Sequence, residues 1–134
     1  AGKGFGIGLI LWPADDVWTQ EIDVAESPDA DKQRVWMTVH GDPPASVQDS
    51  AAHAVDMTQW HVYTVRWETT GIQFFIDGTL ARTVNGSQYM PKKNMTIGIQ
   101  SWIFAANDGW SGGGPDTSVT KRIQVSYVRR LTKA

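Results

Sequence analysis

Glu21-Ile22-Asp23-Val24-Ala25-Glu26 sets three carboxylates within six positions. In a β-strand successive side chains alternate between faces, so Glu21 and Asp23 share one face while Ile22 and Val24 share the other. Glu26 is out of phase, since five residues after Glu21 it should point to the apolar side. One extra residue restores it. A β-bulge absorbing Ala25 would return Glu26 to the acidic face, and bulges recur beside active sites because they re-aim a side chain. The expected outcome is three acids on one surface of a sheet, with aliphatics anchoring the reverse. Two carboxylates roughly 5–5.5 Å apart on a rigid strand are what retaining glycoside hydrolysis needs, one as nucleophile and one as general acid/base. On spacing alone, a solvated acidic edge or part of a calcium site fits equally well.

Working outward, Phe5 to Trp12 reads as a strand with Phe5, Ile7, Leu9 and Leu11 on one face. Gly4, Gly6 and Gly8 alternate on the other, which implies a crowded strand or a close backbone neighbour. Trp18 stands just ahead of the acids, and either lines a cleft or packs beneath it. After the turn Ser27-Pro28-Asp29-Ala30-Asp31, Arg34 to His40 makes a third strand. Val35, Met37 and Val39 face the core there, and Trp36, Thr38 and His40 face away. If that strand pairs beside the acidic one, His40 enters the cleft.

Gly41 to Asp56, with Pro43-Pro44 and small polar residues, reads as a long loop and a candidate cleft rim. Trp60 to Trp67, Ile72 to Ile76, Leu80 to Val84 and Met95 to Trp102 alternate as strands. Asp77-Gly78 is the strongest hairpin signal, because both residues suit positive φ. Ala105 to Thr120 is a Gly-rich loop holding Trp110; it lacks the lysine and following helix of a phosphate-binding loop. Lys121 to Leu131 reads as the closing strand, with Ile123, Val125, Tyr127 and Leu131 as its apolar set. No stretch makes a convincing helix. About eight short strands with regular turns predict an all-β, antiparallel β-sandwich.

At 134 residues the chain is expected to form one domain, 1–134, with a real core. A net charge of −2 offers no basic patch for nucleic acid and no polybasic membrane anchor. No apolar run approaches the roughly 18 residues of a membrane span. With no cysteine, disulfides and thiolate metal sites are excluded. Ala1-Gly2-Lys3-Gly4 lacks the charged-then-apolar pattern of a signal peptide, which is compatible with a mature secreted protein, a fragment or a cytosolic one. The seven tryptophans suit sugar rings, which present C–H groups for stacking, although tryptophan also fills cores and most of them should be structural.

Trp12-Pro13 followed by the acidic hexapeptide resembles the catalytic segment of glycoside hydrolase family 16, in its bulged Glu-x-Asp-x-x-Glu form. Trp60-His61-Val62-Tyr63 running to Trp67, Ile72 through Asp77-Gly78, and Val125-Ser126-Tyr127-Val128-Arg129 match the same family in order. The resemblance implies a jelly-roll, concanavalin A-like sandwich that cleaves internal β-linkages of glucans or galactans with retention. It assigns Glu21 as nucleophile, Glu26 as acid/base and Asp23 as the residue between them, with Glu21 held ionised and Glu26 protonated. It further points to His40, Gln100 and Trp102 in the cleft, with Trp12, Trp18 and Trp110 as further sugar contacts. Family domains are longer, with several strands before the one that starts at Gly4. The chain is therefore expected to correspond to the C-terminal part of such a domain, or to cover its open edge with copies of itself.

No cofactor is expected. Ser126 stands where the family commonly carries an aspartate that helps hold a structural calcium, so that ion is left open. The expected function is a secreted retaining endo-β-glycosidase acting on β-1,3- or mixed β-1,3/1,4-glucan. The alternatives are a carbohydrate-binding, lectin-like module without activity, and a transglycosylase or galactan hydrolase of the same family. The expected partner is a polysaccharide, with neither nucleic acid nor membrane.

Overall fold

The computed structural model describes residues 1–41, 47–106, 110–111, 113–118 and 120–132. Among these, alternating apolar and polar side chains build two antiparallel sheets, as the sequence predicts. The larger contains β1 (Phe5–Pro13), β2 (Glu21–Ser27), β3 (Arg34–His40), β4 (Gln48–Ala54) and β8 (Met95–Ile103), in the order β4-β3-β2-β1-β8. The smaller contains β5 (Tyr63–Glu68), β6 (Gly71–Ile76) and β7 (Thr79–Val84) in sequence order. Asp77 and Gly78 make the β6–β7 hairpin with φ of 51° and 79°, the conformation for which their pairing was read.

The sheets close on one apolar layer. Ile22, Val35, Met37 and Val39 from the larger sheet meet Ile72, Phe74 and Val84 from the smaller, all at 0% exposure. Each such side chain contributes about 1.5–3 kcal/mol by leaving water. Arg82 ties the layers at one side, donating from Nη1 to the Met37 carbonyl at 2.7 Å and pairing with Asp49 on β4.

The bulge is present. On the β1 side Leu9 pairs with Ala25 and Ile10 with Asp23, so Val24 has no partner there. On the β3 side Asp23 faces Thr38 and Glu26 faces Trp36, so Val24 and Ala25 together oppose Met37. Both bulged residues turn into the core.

Two segments depart from the sequence reading. Gly41 to Asp56 is not one long loop, because Gln48–Ala54 is β4, paired along its length with β3. Its small polar side chains carry no apolar alternation; backbone hydrogen bonds to β3 make it a strand. Residues 42–46, including Pro43 and Pro44, lie outside the described residues. In the other direction, the described part of Lys121 to Leu131 forms no strand, and Val125, Tyr127 and Leu131 are exposed. The alternation is there, but among the described residues no strand lies beside it to form a ladder with its N–H and C=O groups. The strand read from Trp60 begins only at Tyr63, and Trp60 is exposed.

Candidate active site

Residues opposite each other on paired strands share a face, so the register maps the outer surface of the larger sheet. Asp23 sits beside Thr38 on β3 and Ile10 on β1, and Glu26 sits beside Trp36 and Gly8. Glu21 pairs with His40. The bulge therefore brings all three acids to the side away from the core. Across β1 the same face continues through Gly6 to Trp102, Gly8 to Gln100 and Trp12 to Thr96. Across β3 it continues from His40 to Gln48 and from Thr38 to Ser50.

The acids are not a solvated edge. Asp23 is buried, and Glu21 and Glu26 are half-buried. His40 Nε2 lies 2.9 Å from Asp23 Oδ2, and this bond, with the surrounding carboxylates, raises the histidine pKa above its usual value. Trp18 donates its indole N–H to Glu21 Oε2 at 3.1 Å and meets the His40 ring edge-on, so it stands exposed beside the acids rather than packing beneath them, outside the wall of the cavity described next. Burial, then the Asp23 carboxylate and Glu21, push Glu26 up to about 8. Burial, then Asp23, push Glu21 up to about 7, with the Trp18 bond and His40 opposing. Both carboxyls are thus held above their ordinary value, by burial first and the Asp23 charge second. Glu21 is less fully ionised than the resemblance implies, because one indole N–H does not offset burial beside a second carboxylate.

A cavity of about 190 Å³ opens beside the acids, lined by Asp23, Glu26, Trp36, Thr38, His40, Gln48, Ser50 and Trp110. Trp110 also stacks on Trp102 at 6.4 Å between ring centres and 21° between planes, and Phe104 meets both rings edge-on. This cluster explains the alternating glycines of β1. A Cβ on Gly6 would lie 2.3 Å from the Trp102 ring and one on Gly8 3.1 Å from it, so the indole lies over the strand beside Glu26.

Gln100 is exposed on the same face. Trp12 shares it too, but its indole N–H is held by Asp16 Oδ1 at 2.8 Å and the residue is absent from the cavity wall. Trp36, Thr38, Gln48 and Ser50 join the site without having been singled out. The outward phase of Trp36 and Thr38 was readable from β3, whereas Gln48 and Ser50 were hidden with their strand.

Among the described residues one group of three acids or histidines converges closely enough to hold an ion, namely Glu21, Asp23 and His40. It is the cluster just described and not a distant calcium site. Ser126 lies exposed and carries a hydroxyl where the resemblance expects a carboxylate.

The profile of the glycosyl hydrolases family 16 matches residues 1–129. Endo-1,3-1,4-beta-glycanase ExsH of Rhizobium meliloti (strain 1021) is 33% identical over 131 residues, which span 92% of this chain and 27% of that protein. The Bacillus licheniformis beta-glucanase superposes with a TM-score of 0.71 at 22% identity, covering 89% of this chain and 55% of its own. The endo-beta-1,3-glucanase of Pyrococcus furiosus gives 0.67 at 21%, covering 87% and 50%. The chain thus spans about half the length of these solved structures and about a quarter of the curated relative.

Proposed function

Since the chain belongs to glycosyl hydrolase family 16, we propose that it cleaves internal linkages of β-1,3- or mixed β-1,3/1,4-glucan with retention, acting outside the cell. The observation that supports this most is the bulge, which sets Glu26 on the face of Glu21 and Asp23. Glu26, protonated up to about 8, donates to the glycosidic oxygen as the bond to the anomeric carbon breaks. Glu21, in its carboxylate form, bonds to that carbon and makes a covalent glycosyl-enzyme. Glu26, now ionised, takes a proton from water as the water displaces Glu21. Asp23, held by His40, raises both neighbouring pKa values and keeps the acid/base loaded. Trp18 and the Trp102–Trp110 stack offer flat apolar faces to sugar rings on either side. The β-glucan preference rests on the names of the relatives.

Digestion of laminarin, lichenan, curdlan and agarose tests the reading, with the anomer of the first product read by NMR. Release of β-glucan fragments as the β-anomer is expected; binding to laminarin with no cleavage would leave a lectin-like module. Glu21→Gln should abolish turnover of every substrate. Glu26→Gln should lose about 10²–10⁴-fold on glucan but far less on an aryl glycoside whose leaving group needs no proton. The kcat/KM profile should rise with pH as Glu21 ionises near 7 and fall as Glu26 ionises near 8. A profile flat from pH 5 to 9 would remove these two groups from their roles.

A further inference from the structure

Glu21 opens β2, and the ladders reach it from one side. The β1–β2 pairing ends at Leu11–Ile22 and the β2–β3 pairing at Glu21–His40, so Glu21 stands on the last rung. A side chain in that place takes its direction from whatever fixes the chain just before it. That residue is Gln20. It is 2% exposed, and both ends of its carboxamide are used. Nε2 donates to the Met90 carbonyl at 2.8 Å, and Oε1 accepts the Lys92 N–H at 2.9 Å. Met90 is itself buried, in the same apolar layer as Ile22 and Phe74. The anchor is therefore as fixed as the core.

The same segment, 90–94, grips the loop 14–20 at two further points. The Ala14 N–H donates to the Asn94 carbonyl at 2.8 Å, and Lys93 Nζ pairs with Asp15 Oδ2 at 2.7 Å. Between these ties and Gln20 stands Trp18, whose indole N–H meets Glu21 Oε2 at 3.1 Å. The ties differ in weight. The Lys93 and Asp15 side chains are 34% and 52% exposed, and an exposed pair of this kind contributes little. A buried carboxamide is different, because its loss strands a carbonyl and an N–H without partners. Gln20 is the tie on which the placement of Trp18 depends most.

We propose that Gln20 is a positioning residue for the nucleophile Glu21. Its carboxamide fixes the end of loop 14–20 to the buried Met90 segment, which holds the Trp18 N–H on Glu21 Oε2 and so aims the carboxylate. A glutamate has several staggered rotamers, and a donor fixed in place selects among them before substrate arrives. Gln20 touches no substrate; it acts through Trp18. The inference rests on the proposed role of Glu21, but not on which glucan is cut.

Gln20→Met keeps the shape of the side chain and removes both hydrogen bonds. It should lower kcat on laminarin by up to about 100-fold while KM holds. Trp18→Phe, which keeps a flat ring and loses the N–H, should do the same, and the double variant should lose no more than the worse single one. The Trp18 indole resonance in a proton–nitrogen NMR spectrum, identified by its absence in Trp18→Phe, reads the clamp without any turnover. It should move in Gln20→Met, and the Lys92 amide of the parent chain should exchange slowly with solvent. Losses that multiply in the double variant, a raised KM at constant kcat, an unmoved indole resonance or a rapidly exchanging Lys92 amide would overturn the proposal. The amide exchange decides the case should Gln20→Met fail to fold. A chain inactive on every glucan, with the indole and amide results as expected, would remove the proposed activity while upholding the clamp.

Discussion

The larger sheet has two halves packed in opposite senses. Beneath β2 and β3 the inner face is sealed by the smaller sheet, and the outer face opens into the acidic cavity. Beneath β1 and β8 the inner face leaves Ile97, Ile99 and Ile103 exposed, while the outer face is covered by Trp102, Trp110 and Phe104. Both halves carry the same period-2 alternation. Alternation tells a side chain which face to take; what then covers that face depends on which other elements are present.

The largest effect expected to separate the halves is on stability. Phe74→Ala, which empties the sealed side, should cost about 3–5 kcal/mol in urea unfolding. Ile97→Ala should stay within about 0.5 kcal/mol. Equal losses would mean that the inner faces do not differ.

A smaller effect tests the outer cover. Gly6→Ala sets a methyl group against the Trp102 ring and should cost about 1–3 kcal/mol by overpacking. Near-UV circular dichroism should change with it. An unchanged tryptophan spectrum at parent stability would show that the indole does not lie over β1.

The most pH-dependent effect lies on the open outer face of the sealed half. Folding raises the pKa of Glu26 from 4.5 to about 8, so the folded chain binds more protons than the unfolded one between those values. Stability therefore falls as pH rises through that window, from no penalty near pH 4 to the full penalty above about 8. Glu26→Gln, which mimics the protonated form, should match the parent at pH 4 and melt higher at pH 9. A variant less stable than the parent at pH 9 would show that the buried charge costs nothing.

The acidic strand was legible because the phase of Glu26 can be counted, and a bulge is what returns it to the face of Glu21 and Asp23. The hairpin at Asp77-Gly78 was legible because few residue pairs accept positive φ at both positions. Gln48-Asp49-Ser50-Ala51-Ala52-His53-Ala54 was not. It sits at an edge, and its order comes from β3 rather than from any pattern of its own. Lys121 to Leu131 failed the opposite way: Ile123, Val125 and Tyr127 alternate as a strand should, but a strand is a relation between two segments, and only one can be read locally. Gly6 and Gly8 fall between these cases. Crowding could be inferred from the glycines, but its cause, Trp102, lies 94 to 96 residues further along the chain and reaches them only through the pairing of β1 with β8.

The bulge at Val24–Ala25 has a genetic consequence. In most strands a lost codon disturbs packing, and selection acts on the misfolded product. Here the deletion of one codon within Val24-Ala25 would straighten the strand and restore plain alternation, while leaving every acid, histidine and tryptophan encoded. Glu26 would then lie four positions after Glu21 and, by alternation, would stay on the face of Glu21 and Asp23. The same three-acid face can thus be encoded with or without the extra residue, and a position-by-position comparison of two such sequences would score one surface as two patterns.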